Sequence, residues 1–174
     1  MKKCSFTGHR PKSLPWGYNE NSNSCIEFKN ELNKLIERLL KAGYSYFIVG
    51  MAEGFDTYVC EALLNKKAEG YNIYIEGAIP CPEQDAKWHE SSKKRYQMLL
   101  TKLDKQTIIN YKYTPTCMQE RNDYMLKNSN LLVACYNKGF GGTLSTIKKA
   151  QKQGKDLIII NPQTLLVTET LSML

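Results

Sequence analysis

Hydrophobic and polar residues alternate along the chain in a way that predicts strands and helices in turn. Apolar residues at helical spacing, closed in several places by glycine, predict helices, whereas short unbroken apolar runs predict buried strands. The predicted strands are residues 4–7, 46–49, 72–79, 107–110, 131–136 and 156–160. The predicted helices are residues 25–42, 55–69, 84–103, 117–128 and 142–153.

The continuous Val, Ile and Leu runs at 131–136 and 156–160 indicate strands that are covered on both faces, as in a parallel sheet. Strands and helices that alternate with short links are typical of a doubly wound architecture. We therefore expect a Rossmann-like, three-layer αβα fold with a mainly parallel central sheet, formed by one domain over residues 1–174. Residues 163–174 stay an unassigned tail.

Charge and cysteine content restrict the partners and the compartment. The 24 Lys and Arg residues exceed the 17 Asp and Glu residues, and the net charge of +7 favours an anionic partner, either a nucleic acid or a small phosphate ester. No apolar run approaches the ~18 residues of a membrane span, and the first apolar stretch breaks at Gly8, too early for a signal peptide. The 6 cysteines form no CxxC pair. We expect a cytoplasmic protein with free thiols, no metal, no cofactor and no membrane association.

The residues that suggest chemistry follow the predicted strands. Ligands of open α/β sheets bind beyond the carboxyl ends of the strands, so loops after several strands are expected to form one site. The predicted ligand-binding residues are Gly8, His9, Arg10, Gly50, Met51, Ala52, Gly54, Asp56, Pro80, Glu83, Arg121, Asn122, Gly141, Gly142 and Thr143.

Two of these loops carry features of anion binding. Gly139-Phe-Gly-Gly-Thr143 follows a buried strand and begins a helix, whose exposed amides favour an anion. A glycine-rich turn needed only for packing is the alternative. Arg10, fixed by the following proline, suits a phosphate or carboxylate clamp. Arg121 at a helix start opposes the helix dipole, which indicates an anionic partner from a ligand or from a neighbouring carboxylate.

Two residues are candidates for catalysis, and one for sugar recognition. His9 is a candidate general base, or else a hydrogen-bonded structural histidine, and Arg121 is the second catalytic candidate. Asp56 either caps the second predicted helix or accepts a hydrogen bond from a sugar hydroxyl.

The motifs occur together and in a fixed order. They are Phe6-Thr-Gly-His-Arg-Pro11, Leu14-Pro-Trp-Gly-Tyr18, Gly50-Met-Ala-Glu-Gly-Phe-Asp56, Ala78-Ile-Pro80 with Glu83-Gln84 and Lys87-Trp88, Arg121-Asn122 and Gly141-Gly142-Thr143. This combination, over residues 4 to about 160, resembles the YpsA-like branch of the SLOG superfamily. That superfamily also contains the DNA-processing protein DprA/Smf, LOG-type phosphoribohydrolases and molybdenum-cofactor carrier proteins. The resemblance implies a Rossmann-like fold and a nucleotide-derived ligand, with ribose and phosphate, as in ADP-ribose.

The LOG-type enzymes suggest an alternative, hydrolysis of an N-glycosidic bond. Arg121 matches their arginine, but their glutamate position falls on Ser145 or Thr146. Cleavage through an oxocarbenium-like state needs a carboxylate, which only Glu53, Asp56 or Glu83 could supply here. We therefore expect a protein that binds or senses a ligand rather than an enzyme.

DprA suggests a second alternative, an accessory protein that binds DNA. The resemblance to DprA lies in residues 50–56 and in Arg121-Asn122, but no dense stripe of arginine and aromatic residues is present. DNA binding is therefore expected to be weak. Other members of the branch tend to carry acidic residues near the positions of Lys127 and Asn130, and this chain has none there.

The C-terminal tail predicts self-association. Leucines at 165, 166, 171 and 174 would leave an apolar tail on a monomer, and LOG-type proteins commonly form dimers. We expect a homodimer.

Overall fold

The computed structural model describes residues 1–172, which form seven strands, five α-helices and a short 3₁₀ helix at Pro11–Ser13. The strands are β1 (Lys2–Gly8), β2 (Tyr44–Val49), β3 (Tyr74–Ile79), β4 (Lys105–Ile108), β5 (Leu131–Cys135), β6 (Asp156–Ile160) and β7 (Val167–Thr170). The helices are α1 (Asn23–Lys41), α2 (Phe55–Ala68), α3 (Glu90–Leu100), α4 (Cys117–Lys127) and α5 (Gly142–Lys152).

The strands form one sheet in the order β4-β3-β2-β1-β5-β6-β7. Every neighbouring pair is parallel except β6 and β7, which are antiparallel. The structure confirms the single-domain, mainly parallel αβα architecture. The last strand lies in the tail that the sequence left unassigned, because a short edge strand with mostly exposed residues has no apolar run.

Helices cover both faces of the sheet, and β5 shows how its side chains are divided between them. Leu131, Val133 and Cys135 belong to the core cluster that contains the buried residues of α1 and α2, together with Tyr96 and Leu99 of α3. Leu132 and Ala134 belong to a second cluster, with residues of α4 and α5. All of β5 is therefore buried, which explains its continuous apolar sequence.

Several boundaries differ from the prediction, among them those of α3, β3 and β4. Helix α3 begins at Glu90 rather than at 84, because residues 81–88 form consecutive tight turns, such as the one that Gln84 N closes on Cys81 O. Strand β3 begins at Tyr74, and β4 covers residues 105–108 rather than 107–110, since the parallel register pairs Glu76 with Lys105.

The strand order of the sheet reverses direction at β1. The chain runs outward from β1 through β2 and β3 to β4, and then crosses to β5 on the other side of β1. A crevice opens at the carboxyl ends of the two strands on either side of such a switch point, here β1 and β5.

Two absences apply to the described part of the chain. None of the helices in residues 1–172 is long and apolar enough to cross a membrane. Nor do these residues contain a cluster of three or more His, Cys, Asp or Glu side chains that could hold a metal ion. All six cysteines are buried and unpaired.

Candidate nucleotide site

A cavity of about 360 Å³ lies at the carboxyl ends of β1 and β5. It is bounded by the segment after β1, the start of α2, one side of α4 and the loop between β5 and α5. The residues that line it are Thr7, Gly8, His9, Arg10, Lys12, Ser13, Ala52, Asp56, Met118, Arg121, Asn122, Tyr136, Lys138, Gly139, Phe140, Gly141, Gly142, Thr143 and Leu144.

The cavity unites some of the predicted site residues and leaves others out. It is lined by the predicted residues Gly8, His9, Arg10, Ala52, Asp56, Arg121, Asn122, Gly141, Gly142 and Thr143. The predicted residues that do not line it are Gly50, Met51, Gly54, Pro80 and Glu83.

Residues that the sequence reasoning missed include three with polar or aromatic side chains. Lys12, Tyr136 and Lys138 line the cavity. Their signal was position alone, because Tyr136 ends a predicted strand, and Lys12 and Lys138 lie in the segments that follow predicted strands.

Arg121 is held inside the protein by several acceptors. Its side chain is buried, Nη1 donates to the carbonyl of Gly50 and, over 3.3 Å, to Gln84 Oε1. Nε donates to Asn122 Oδ1 over 2.8 Å. The residue of the β3–α3 segment that reaches the arginine is therefore Gln84, whereas Glu83 is exposed to solvent.

Asp56 is the acidic residue of the cavity and lies in the first turn of α2. It is 5% exposed, and Oδ2 accepts a hydrogen bond from the backbone N–H of Ala52 over 3.1 Å. Burial raises the pKa of this carboxyl, while the charge of Arg121 and the Ala52 hydrogen bond act in the opposite direction. Burial also lowers the pKa of Arg121, and the charge of Asp56 opposes that change.

Gly50 allows these two buried charges to approach. A Cβ atom at this position would lie 2.7 Å from Arg121 Nη1 and 2.9 Å from Asp56 Oδ2. No side chain fits there without moving one of them. The role of Gly50 is thus to bring the ionic groups together from beneath the cavity.

His9 contacts both the start of α2 and the loop after β5. Its carbonyl accepts a hydrogen bond from Phe55 N at the start of α2, and its Nε2 lies 3.0 Å from Asn137 Oδ1 after β5. The ring packs on Tyr136 with centroids 5.4 Å apart. Burial lowers the pKa of His9, and the Asn137 hydrogen bond partly offsets this. These contacts give the histidine a clear structural role.

The loop between β5 and α5 is open to solvent. Gly141 precedes the helix with φ of +144°, a conformation that favours glycine, and no side chain caps the helix. The first helical hydrogen bond is donated by Ser145 N to Gly141 O, so the N–H groups of Gly142, Thr143 and Leu144 have no backbone acceptor within residues 1–172. Such a helix end attracts an anion.

Cationic side chains line the same cavity as these amides. Arg10, Lys12 and Lys138 line the cavity, and none of them forms a salt bridge with a carboxylate in the described part of the chain. The cavity can therefore accept negative charge from a ligand at this end.

The positions of the LOG-type glutamate carry no acid. Thr146 is buried, and its hydroxyl donates to the Gly142 carbonyl over 2.7 Å, while Ser145 is exposed. Neither residue lines the cavity. Of the three carboxylates considered as substitutes, the structure brings Asp56 into the cavity and leaves Glu53 and Glu83 outside it.

Fold and cavity together define a Rossmann-like protein with a cavity at the switch point of its sheet. A profile described as the YspA SLOG family matches residues 4–165. The chain belongs to this YpsA family of SLOG proteins, as the resemblance of its motifs predicted.

Curated relatives agree with this assignment. The SPbeta prophage-derived protein YoqJ of Bacillus subtilis, itself uncharacterized, is 31% identical over 142 residues, which covers 74% of this chain and 83% of that protein. A UPF0398 protein of Halalkalibacterium halodurans is 25% identical over 172 residues, which covers 95% of this chain and 90% of the relative.

Two solved structures share the fold. DprA from Streptococcus pneumoniae superposes with a TM-score of 0.62 and 15% identity, over 91% of this chain and 50% of DprA. DprA from Helicobacter pylori, solved to explain its single-stranded DNA binding mode, gives 0.60 and 18%, over 91% of this chain and 64% of that protein. This chain thus spans about half to two thirds of the DprA chains.

Proposed function

We propose that this protein binds a nucleotide or a nucleotide-derived molecule, with its phosphate at the N-terminus of α5. The observation that supports this most directly is the set of unpaired N–H groups at Gly142, Thr143 and Leu144, which border the same cavity as the buried Asp56. The two ends of the cavity suit different parts of one ligand.

The phosphate belongs at the α5 end for electrostatic reasons. Lys138, in the same loop, supplies positive charge there in addition to the helix dipole, and Arg10 and Lys12 line the same cavity. A phosphate next to Asp56 would instead be repelled by a second negative charge. The ligand is therefore oriented with its phosphate toward α5 and an uncharged, hydrogen-bonding part toward α2.

The test is a thermal-shift panel of ADP-ribose, NAD and nucleoside mono- to triphosphates. A ligand should raise the melting temperature with the logarithm of its concentration. Arg10→Ala should reduce this shift, and Lys34→Ala, on the exposed side of α1, is the matched control that should keep it. If no member of the panel changes the melting temperature at millimolar concentration, the proposal is wrong.

Single-stranded DNA is a second candidate, because one surface next to the site favours it. Phe140 is 99% exposed and borders an open groove that Lys148 and Lys152 also line. An exposed ring beside cations is the arrangement on which bases stack while the backbone is neutralised. The likeness to DprA, one structure of which concerns single-stranded DNA binding, agrees with this candidate.

DNA binding is nevertheless expected to be weak. If the protein contacts three neighbouring phosphates, a tenfold rise in salt concentration should weaken its affinity for single-stranded DNA about 100-fold. Fluorescence anisotropy of a labelled oligonucleotide at low and physiological salt, with Phe140→Ala as the variant, measures it. Tight binding that persists at physiological salt would make DNA the first candidate.

We also propose a homodimer, and the cytoplasmic location remains a prediction. Leu166 and Leu171 are 64% and 50% exposed, whereas Leu165 packs against the core and Leu174 lies outside the described residues. Light scattering at tens of micromolar should give the mass of two chains. The mass of one chain would contradict the proposal.

A further inference from the structure

One oxygen in the cavity has no hydrogen-bond partner. Asp56 Oδ2 accepts from Ala52 N, but Asp56 Oδ1 is buried and unpaired within residues 1–172. A buried polar atom without a partner destabilises the protein, so it needs an explanation.

The surrounding protein does not supply that partner. Arg121 is a nearby cation, but its Nη1 and Nε donate to Gly50, Gln84 and Asn122, and no salt bridge within residues 1–172 joins it to Asp56. The Gly50 turn holds the carboxylate beside the arginine from below, while Asp56 lines the cavity above. Because Asp56 lines the cavity, a molecule bound there can supply the donor that this oxygen lacks.

We infer that Asp56 Oδ1 accepts a hydrogen bond from a ribose hydroxyl, so that the site selects ribonucleotides over deoxyribonucleotides. This rests on the proposed function. The sugar is the part of a nucleotide next to the phosphate. If the backbone N–H groups at the start of α5 bind the phosphate, the sugar is the next group of the ligand in the cavity of about 360 Å³ that Asp56 also lines. A hydroxyl donates a hydrogen bond to a carboxylate, which phosphate oxygens cannot do when ionised.

The contacts order the groups along the cavity in the way this inference requires. An added Cβ at Gly142, the first residue of α5, would lie 3.8 Å from Asn122 Nδ2. Asn122 pairs with Arg121, and Arg121 reaches the Gly50 carbonyl beside Asp56. Phosphate amides and free carboxylate therefore lie at opposite ends of one chain of contacts.

The experiment compares matched ligands by calorimetry. Each of ADP, GDP, CDP and UDP is titrated alongside its 2′-deoxy and 3′-deoxy form into the full chain. At least one ribonucleotide should bind, and removal of the recognised hydroxyl should weaken its binding about 10-fold or more, the range of a charged hydrogen bond.

Asp56→Asn tests the assignment to this residue. The Ala52 N–H requires an oxygen, so the asparagine would turn its amide nitrogen toward the cavity and replace the acceptor by a donor. The discrimination between ribose and deoxyribose should fall to less than about 3-fold. Glu53→Gln is the matched control, since Glu53 lies three residues earlier and lines a different cavity, and it should keep the discrimination.

Each outcome decides a separate question. If none of the four ribonucleotides binds, the inference is wrong, and the proposed function is wrong as well only if the whole thermal-shift panel also fails. If ribose and deoxyribose forms bind equally, only the inference is wrong. A preference that survives in Asp56→Asn would overturn the role of Asp56. Should that variant not fold, Asp56→Ser, which is smaller and neutral, provides the same comparison, and the wild-type titrations stand by themselves.

Discussion

The turn between β2 and α2 and the loop between β5 and α5 look alike in sequence but have opposite structures. Each follows a buried strand, contains glycine and begins a helix. In the first, the Gly50 carbonyl and the Ala52 N–H are bound by Arg121 and Asp56. In the second, the N–H groups of Gly142 and Thr143 have no acceptor in the described chain, and Phe140 is 99% exposed.

The difference shows that glycine serves two separate purposes at this edge of the sheet. In the β2–α2 turn, Gly50 is needed because a side chain would collide with buried ionic groups. In the β5–α5 loop, Gly141 provides a backbone conformation that exposes amides, and nothing lies within 4 Å of the Cβ it lacks. The β2–α2 turn brings Arg121 and Asp56 together, whereas the β5–α5 loop leaves backbone N–H groups open to the cavity.

The largest difference is expected between Arg121, which binds the β2–α2 turn, and Arg10, which lines the cavity. Arg121→Ala removes the donor to Gly50 O, Asn122 and Gln84, and leaves Asp56 without its nearby cation, so the free energy of unfolding should fall by about 3–5 kcal/mol. Urea denaturation measures it. Binding of a nucleotide should weaken as well.

Arg10→Ala is the control for this prediction. Arg10 is exposed, and the one side-chain hydrogen bond it forms within residues 1–172 goes to the Met118 sulfur, over 3.7 Å, so stability should change by less than about 0.5 kcal/mol. Nucleotide affinity should nevertheless fall by roughly 1.5–3 kcal/mol, the value of a charged hydrogen bond. Equal losses of stability in the two variants would show that the hydrogen bonds of Arg121 to the β2–α2 turn do not stabilise the protein as expected.

Glycine substitutions give the next largest contrast. Gly50→Ala should destabilise the protein by about 1–3 kcal/mol, since its Cβ would lie 2.7 Å from Arg121 Nη1. Gly142→Ala meets only Asn122 Nδ2 at 3.8 Å and replaces a helical glycine, so it should be neutral or stabilising by up to about 1 kcal/mol. Thermal and urea unfolding of both variants provide the comparison, and the opposite ranking would contradict it.

The strand and helix pattern could be predicted because burial on both faces of a sheet leaves a continuous apolar sequence, as in β5. The edge strand β7 could not, since its residues are mostly exposed. The same reasoning explains the early start given to α3, where polar residues in consecutive turns resemble the exposed face of a helix.

The loops that border the cavity could be predicted from the sequence, but the contacts of individual side chains could not. Glu83 and Gln84 are adjacent and both polar, and sequence offers no reason to prefer Gln84 as the partner of Arg121. The structure decides because Gln84 is buried and also donates to the Met51 carbonyl, over 3.3 Å. Met51 itself has φ of +59°, a left-handed conformation that is uncommon for a residue with a side chain.

The smallest expected effect is the pH dependence of stability that His9 causes. His9 contacts both regions, because its carbonyl accepts a hydrogen bond at the start of α2 while its ring pairs with Asn137 after β5. Its pKa in the folded protein is lowered by burial from 6.5. Between the lowered value and 6.5, the unfolded chain binds a proton that the folded protein does not, so stability is complete above pH 6.5 and is lost as the pH falls through this window. Wild type should therefore lose more stability than His9→Gln between pH 7.5 and 5.5.

The comparison with His9→Gln is needed because other groups titrate in the folded protein. The raised pKa of Asp56 acts with the opposite sign, since it makes stability fall as the pH rises. Its contribution is common to wild type and variant and cancels in the difference. Urea denaturation at several pH values measures that difference, and NMR titration of the His9 ring gives its pKa directly. A pKa at or above 6.5, with parallel pH profiles for the two proteins, would mean that protonation of His9 does not disturb its contacts with the start of α2 and with Asn137 after β5.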